Sequence, residues 1–184
     1  MNKIVIKRRK NLDSSDPYLS YFLKNWFPDE VEKFTIDGEY NEDDLEDYMS
    51  LLPTLKHKVR SRICLNGFNI KSKDFGTIIS AFWYCEYIGF RASNWVNCGK
   101  NFLIQDNAIF LIKELVLDYP QDLTSDAFNT MIHSLLQNQH FRDNIKKVVI
   151  ANMEFKRYSQ EIIKNYTGDP WFKLIKGYRL TMMH

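Results

Sequence analysis

Apolar triplets with a variable middle residue return along the chain about every 29 residues. They read Ile4-Val5-Ile6, Phe34-Thr35-Ile36, Ile63-Cys64-Leu65, Ile88-Gly89-Phe90, Leu115-Val116-Leu117, Val148-Val149-Ile150 and, more weakly, Tyr178-Arg179-Leu180. The outer two positions of each triplet fall on one side of an extended chain, which is strand periodicity. After most triplets the apolar spacing changes to three and four, which is helix periodicity. Asp16-Pro17 predicts a helix start, with Leu19, Phe22 and Trp26 on one face. Leu45, Tyr48, Met49 and Leu52 form the next stripe, with Asp43 and Asp44 at its positive end and Pro53 as its expected stop. Ser72 is the expected cap of a helix carrying Phe75, Ile78, Ile79 and Phe82. Ser125 is the expected cap of one carrying Phe128, Met131, Ile132, Leu135 and Leu136. Tyr158, Ile162 and Tyr166 predict a last short helix, closed by Gly168 and Pro170.

The unit between Ile88 and Leu115 departs from this rhythm. Asn94, Trp95, Asn97, Cys98, Gly99 and Asn101 are loop residues, so an irregular stretch is expected there. It would include an extra short strand near Phe102 to Ile104, and at most a brief turn at 106–111.

Strand, turn, helix and strand at this interval predict an α/β chain. Its expected form is a short right-handed β-α solenoid of about six to seven irregular repeats. Parallel strands would occupy one face and helices the other, in a single domain over residues 1–184. The expected core is Phe34, Ile36, Ile63, Leu65, Ile88, Phe90, Leu115, Leu117, Val148 and Ile150. Ile63-Cys64-Leu65-Asn66 and Leu115-Val116-Leu117-Asp118 come nearest to the LxxLxLxxN signature, and Ile88-Gly89-Phe90-Arg91 departs from it. On these segments the chain resembles the leucine-rich repeat family, in its long ribonuclease-inhibitor-like class. That resemblance implies protein binding, usually through the strand face. The bias toward Asn, Lys, Ile, Phe and Tyr also resembles divergent repeat proteins of ciliates and other protists, which implies a lineage-specific subunit.

If the outer positions of each triplet point inward, three rows of residues point out. The first is Lys3, Lys33, Arg62, Tyr87, Glu114 and Lys147. The central row is Val5, Thr35, Cys64, Gly89, Val116 and Val149. The third is Lys7, Asp37, Asn66, Arg91, Asp118 and Ala151. A small apolar centre between charged margins has the layout of a protein interface. It equally suits an ordinary exposed strand face, because Val and Thr favour strands. The candidate partner-binding residues are Lys33, Thr35, Arg62, Cys64, Tyr87, Arg91, Val116, Asp118, Lys147 and Val149.

Composition adds less. A net charge of +2 gives no global field toward nucleic acid or membrane. The basic run Lys7, Arg8, Arg9 and Lys10 suits phosphate or an acidic partner, but Lys and Arg also protect an edge strand from aggregation. The acidic stretch Glu39, Glu42, Asp43, Asp44, Glu46 and Asp47 lacks calcium-loop order and reads as a solvated helix start. The three cysteines, Cys64, Cys85 and Cys98, have no CxxC spacing, so reduced thiols are expected. His133 and His140 would need a common helix face and a third ligand to bind metal. Asn94-Trp95 and Asp169-Pro170-Trp171-Phe172 are aromatic spots that suit either packing or an interface.

No nucleophile elbow, phosphate loop, dinucleotide fingerprint or HExxH motif is present. The sequence therefore predicts no catalytic residues, no metal and no cofactor, and no transmembrane segment. It predicts a non-enzymatic protein-interaction or scaffold module, a small structural subunit with protein partners. The alternative is a module that binds nucleic acid or acidic lipid through the basic N-terminal strand. A partner or second copy is expected at an end of the solenoid. No signal peptide is expected, so the predicted location is intracellular and cytoplasmic, with the mitochondrion as the alternative.

Overall fold

The alternation that marks the triplets places the first six of them in strands. A computed structural model describes residues 3–7, 21–22, 24–38, 43–96, 98, 102, 104, 109–118, 120–151, 166 and 168–175. The long strands are β1 (Lys3–Lys7), β2 (Val31–Asp37), β4 (Val59–Asn66), β6 (Tyr87–Arg91), β8 (Glu114–Asp118), β9 (Lys147–Ala151) and β10 (Phe172–Ile175). They form a seven-stranded sheet in chain order, and every neighbouring pair is parallel. Between them lie β3 (Asp43–Asp44), β5 (Phe68–Ile70) and β7 (Asn94–Trp95), which form a second, three-stranded parallel sheet. Among the described residues the helices given labels are α1 (Leu52–Leu55), α2 (Ser72–Ala81), α3 (Ser125–Gln137) and α4 (Gln139–Asn144), with a 3-10 segment at Leu45–Leu51.

The ten expected core residues are all buried, and they share one cluster with the apolar faces of α2 and α3. Val116, Val149 and Ala151 lie in a separate cluster. The sheet therefore has a helix-covered side and an outer side. Parallel strands need a crossover between them, and the helical segments supply several of those crossovers while covering the inner face.

A repeated turn joins the two sheets. The residue after a long strand donates its N–H to the last carbonyl of the next long strand. Gly38 N–H reaches Asn66 O at 2.8 Å, Gly67 reaches Arg91 O at 2.9 Å, and Ala92 reaches Asp118 O at 2.8 Å. Gly67 turns with φ of 80° and Ala92 with 44°, a conformation that favours glycine. The turn sends the chain into β5 or β7, which buries Phe68, Ile70 and Trp95. Where the leucine-rich signature carries Asn or Cys after the strand, this chain has Phe68 and Ser93.

Several expectations are corrected. Ser72 and Ser125 are the first helical residues, not the caps. The caps lie one residue earlier. Thr124 Oγ1 accepts from Ala127 N–H at 3.2 Å, and Asp74 accepts from the Lys71 N–H at 2.9 Å. The stripe begun by Leu45 forms a 3-10 segment because Leu45, Tyr48 and Leu51 repeat every third residue and are all buried. Pro53 does not end that segment but sits in the first turn of α1, where its missing N–H costs nothing. The irregular unit holds its extra strand at Asn94–Trp95; Phe102 and Ile104 lie outside any strand. Among the described residues the strand that follows β9 is β10, which pairs with it and begins at Phe172. Residues 21–22 and 24–25 are helical, but Phe22 and Trp26 are exposed, and Phe27 is buried instead, edge-on to Phe34.

The triplet Tyr178-Arg179-Leu180, the helix start at Asp16-Pro17, Leu19, and Tyr158 with Ile162 lie outside the described residues.

Candidate interaction surface

Parallel pairing with a side-chain period of two aligns the outward rows across the sheet. The first row runs in register as Lys3, Lys33, Arg62, Tyr87, Glu114 and Lys147. The central row runs Val5, Thr35, Cys64, Gly89, Val116 and Val149, and the third Lys7, Asp37, Asn66, Arg91, Asp118 and Ala151. The structure thus brings all ten candidate residues onto one face of one sheet.

That face is not an open apolar strip. Tyr87 lies across its middle, over Gly89. A Cβ on Gly89 would sit 2.8 Å from the Tyr87 hydroxyl, so the ring uses the space a side chain would fill. The Arg62 guanidinium stacks on the Tyr87 ring, 5.0 Å from its centre, a cation–π contact. The Arg91 side chain interacts with the Tyr87 hydroxyl. Tyr87 also packs against Val116, Val149 and Ala151. Val116 is 8% and Val149 3% exposed, which corrects the expectation of a solvent-facing apolar centre. The accessible parts of the face are its charged margins and the Val5, Thr35 and Cys64 half of the central row, where Val5 is exposed and the other two are half-buried.

The margins pair charges between neighbouring strands. Lys147 Nζ meets Glu114 Oε1 at 3.1 Å, Arg91 Nε lies 3.9 Å from Asp118 Oδ2, and Asn66 donates to Asp37 Oδ1 at 3.1 Å. Exposed pairs of this kind add about 0–1 kcal/mol each and exchange readily for a partner's charges. Lys3, Lys33 and Arg62 stand on three adjacent strands, which makes the N-terminal part of the first row basic.

Burial pushes the Cys64 thiol up to about 11, Cys85 to about 12 and Cys98 to about 11. These are protonated, packed thiols and not nucleophiles at neutral pH. All three are free. His133 lies on α3 and His140 on α4, because the helix breaks at Asn138; the two have no common face. Among the described residues no group of three or more His, Cys, Asp or Glu converges on a metal-sized site. No helix among them is long and apolar enough to cross a membrane.

Lys7 aligns with Asp37, and Arg8, Arg9 and Lys10 lie outside the described residues. Asp44 is drawn to Lys71 at 3.3 Å, and Glu39 and Glu42 lie outside the described residues. Sequence reasoning missed the lid made by Tyr87. Its signal was Gly89 inside a strand, which marks a close approach by another group.

No protein-family model matches the chain, and no curated protein matches it significantly.

Proposed function

We propose that the chain is a short β-α solenoid of the leucine-rich repeat kind, and that it works as a non-enzymatic protein-interaction subunit through its outer strand face. The single observation that carries this reading is the unbroken register of the three outward rows from β1 to β9. Such register turns residues far apart in sequence into continuous stripes, spaced about 4.8 Å from strand to strand. A partner meets a rigid comb of charges around the Tyr87 lid. Arg62, Tyr87 and Arg91 form its centre, and Arg and Tyr are the residue types that most often carry interface energy. Ile4 and Ile6 of β1 are half-buried where their equivalents in later strands are buried, which suits further packing against β1.

The basic group Lys3, Lys33 and Arg62 supports a second reading, in which the partner bears phosphates. Steep loss of binding with rising salt separates it from the first.

The test is lysine-reactive cross-linking of the protein captured with its native partners. Cross-links to a partner from Lys33 and Lys147 are expected. Cross-links confined to Lys24 and Lys73, which lie outside the strands of the large sheet, would contradict the reading.

A further inference from the structure

Beyond the strand face, the helix side holds a surface of different chemistry. A cleft of about 730 Å³ runs between α1 and α2, with Met49, Leu52 and Pro53 on one wall and Ser80 and Ala81 on the other. Trp83 stands at its end and also lines an adjoining cleft of about 490 Å³ with Lys56, His57 and Arg60. Trp83 is 40% exposed, a large apolar area for a surface ring. The apolar surface continues beyond it. The Leu111 N–H bonds the Trp83 carbonyl at 2.7 Å, and Leu111 and Ile109 are 41% and 53% exposed. In this extended segment Phe110 and Ile112 point into the core, so alternation turns Ile109 and Leu111 outward.

Charge decides what fits here. The side chains of Lys56 and His57 have no ion-pair or hydrogen-bond partner among the described residues. Arg60 is held among the described residues by Glu30, at 3.2 Å, and both side chains are well exposed. The Tyr84 hydroxyl beside them is shielded from water and lacks a hydrogen-bond partner in the structure. One rim of the adjoining cleft is therefore basic, with Lys56 and His57 unpaired among the described residues and Arg60 in an exposed pair that a partner's carboxylate can replace. We propose that this cleft docks an acidic amphipathic segment of a partner protein, with apolar side chains against Trp83, Leu52 and Ala81 and carboxylates on Lys56, His57 and Arg60. The open apolar walls favour a peptide over a nucleic-acid strand, since a strand would need its phosphates tracked along a basic groove. Arg60 stands on β4 only two residues before Arg62, so the strand face is tested apart from the cleft at Arg91 and Lys147, on β6 and β9.

The experiment is selection of a displayed random-peptide library on the full chain, followed by fluorescence-polarisation titration of a selected synthetic peptide. Selected peptides are expected to combine at least two apolar anchors with flanking Asp or Glu. Lys56→Glu with Arg60→Glu should weaken the peptide at least about tenfold, and Trp83→Ala by a similar factor. The variant with Arg91→Glu and Lys147→Glu should bind it unchanged. Circular dichroism confirms that each variant is folded; the two charge reversals alter a half-buried and an exposed side chain outside the core and carry the test if Trp83→Ala does not fold. The proposal is overturned if selection returns no peptide or peptides without acidic residues. It is also overturned if binding is indifferent to Lys56 and Arg60, or if the strand-face variant abolishes it. Capture of an oligothymidylate at Lys56 and Arg60 in place of a peptide would likewise overturn it.

Discussion

A Cβ on Gly38 would meet the Phe68 ring at 2.8 Å, and one on Gly89 would meet the Tyr87 hydroxyl at the same distance. The two clashes have different consequences because the obstructing groups differ in freedom. Phe68 is fully buried, edge-on to Tyr48, and has nowhere to go. The Tyr87 hydroxyl is the tip of a side chain lying on an outer face. Gly38→Ala should therefore cost about 1–3 kcal/mol of stability in urea unfolding, as overpacking does. Gly89→Ala should cost less, about 0.5–1 kcal/mol, because Tyr87 can swing off Val116 at the loss of its contact with Arg62. Equal losses at the two positions would contradict the lid geometry. The sequence shows Gly89 inside an alternating strand, and that much is legible. Which ring fills the gap is not, because Tyr87 precedes Gly89 by only two residues and its direction depends on Arg62 and Arg91 from two strands.

At the scale of elements, the long strands are legible because pairs such as Phe34 with Ile36 and Leu115 with Leu117 need only a period of two. The starts of α2 and α3 are legible to within one residue. A Ser at 72 or 125 carries the signature of a cap, yet the extended backbone ends one position earlier, at Lys71 and Thr124. The second sheet is invisible in the sequence, since Asp43–Asp44 and Asn94–Trp95 are too short to show any period. The break at Asn138 was hidden for a different reason. Apolar spacing through Leu135 and Leu136 does not reveal that Asn138 ends one helix and caps the next. Its side chain accepts from Phe141 N–H at 2.9 Å in a fully buried position. Thr124→Ala should cost about 1 kcal/mol as a lost cap. Asn138→Ala should cost about 2 kcal/mol, because it also strands a buried donor. Denaturant titration measures both, and a smaller loss at Asn138 than at Thr124 would contradict the assignment.

Over the whole molecule, in-register parallel pairing converts local alternation into a surface. The sequence carries the rows because each triplet repeats the same inward and outward order. It does not carry the coverage of the outer face, which depends on one tyrosine, nor the helix-side cleft, which arises where α1, α2 and Trp83 meet. A protein whose face is a set of aligned rows should lose its partners when several rows change sign together, and keep its fold, because the margin side chains contribute little to stability. The most direct measurement is quantitative affinity capture from the source cells with the parent chain and with a variant carrying Arg62→Glu, Arg91→Glu and Lys147→Glu. A partner retained by the parent and reduced at least about tenfold by the variant, with an unchanged circular dichroism spectrum, is the predicted result. Equal capture by both chains would contradict the strand face as the contact surface.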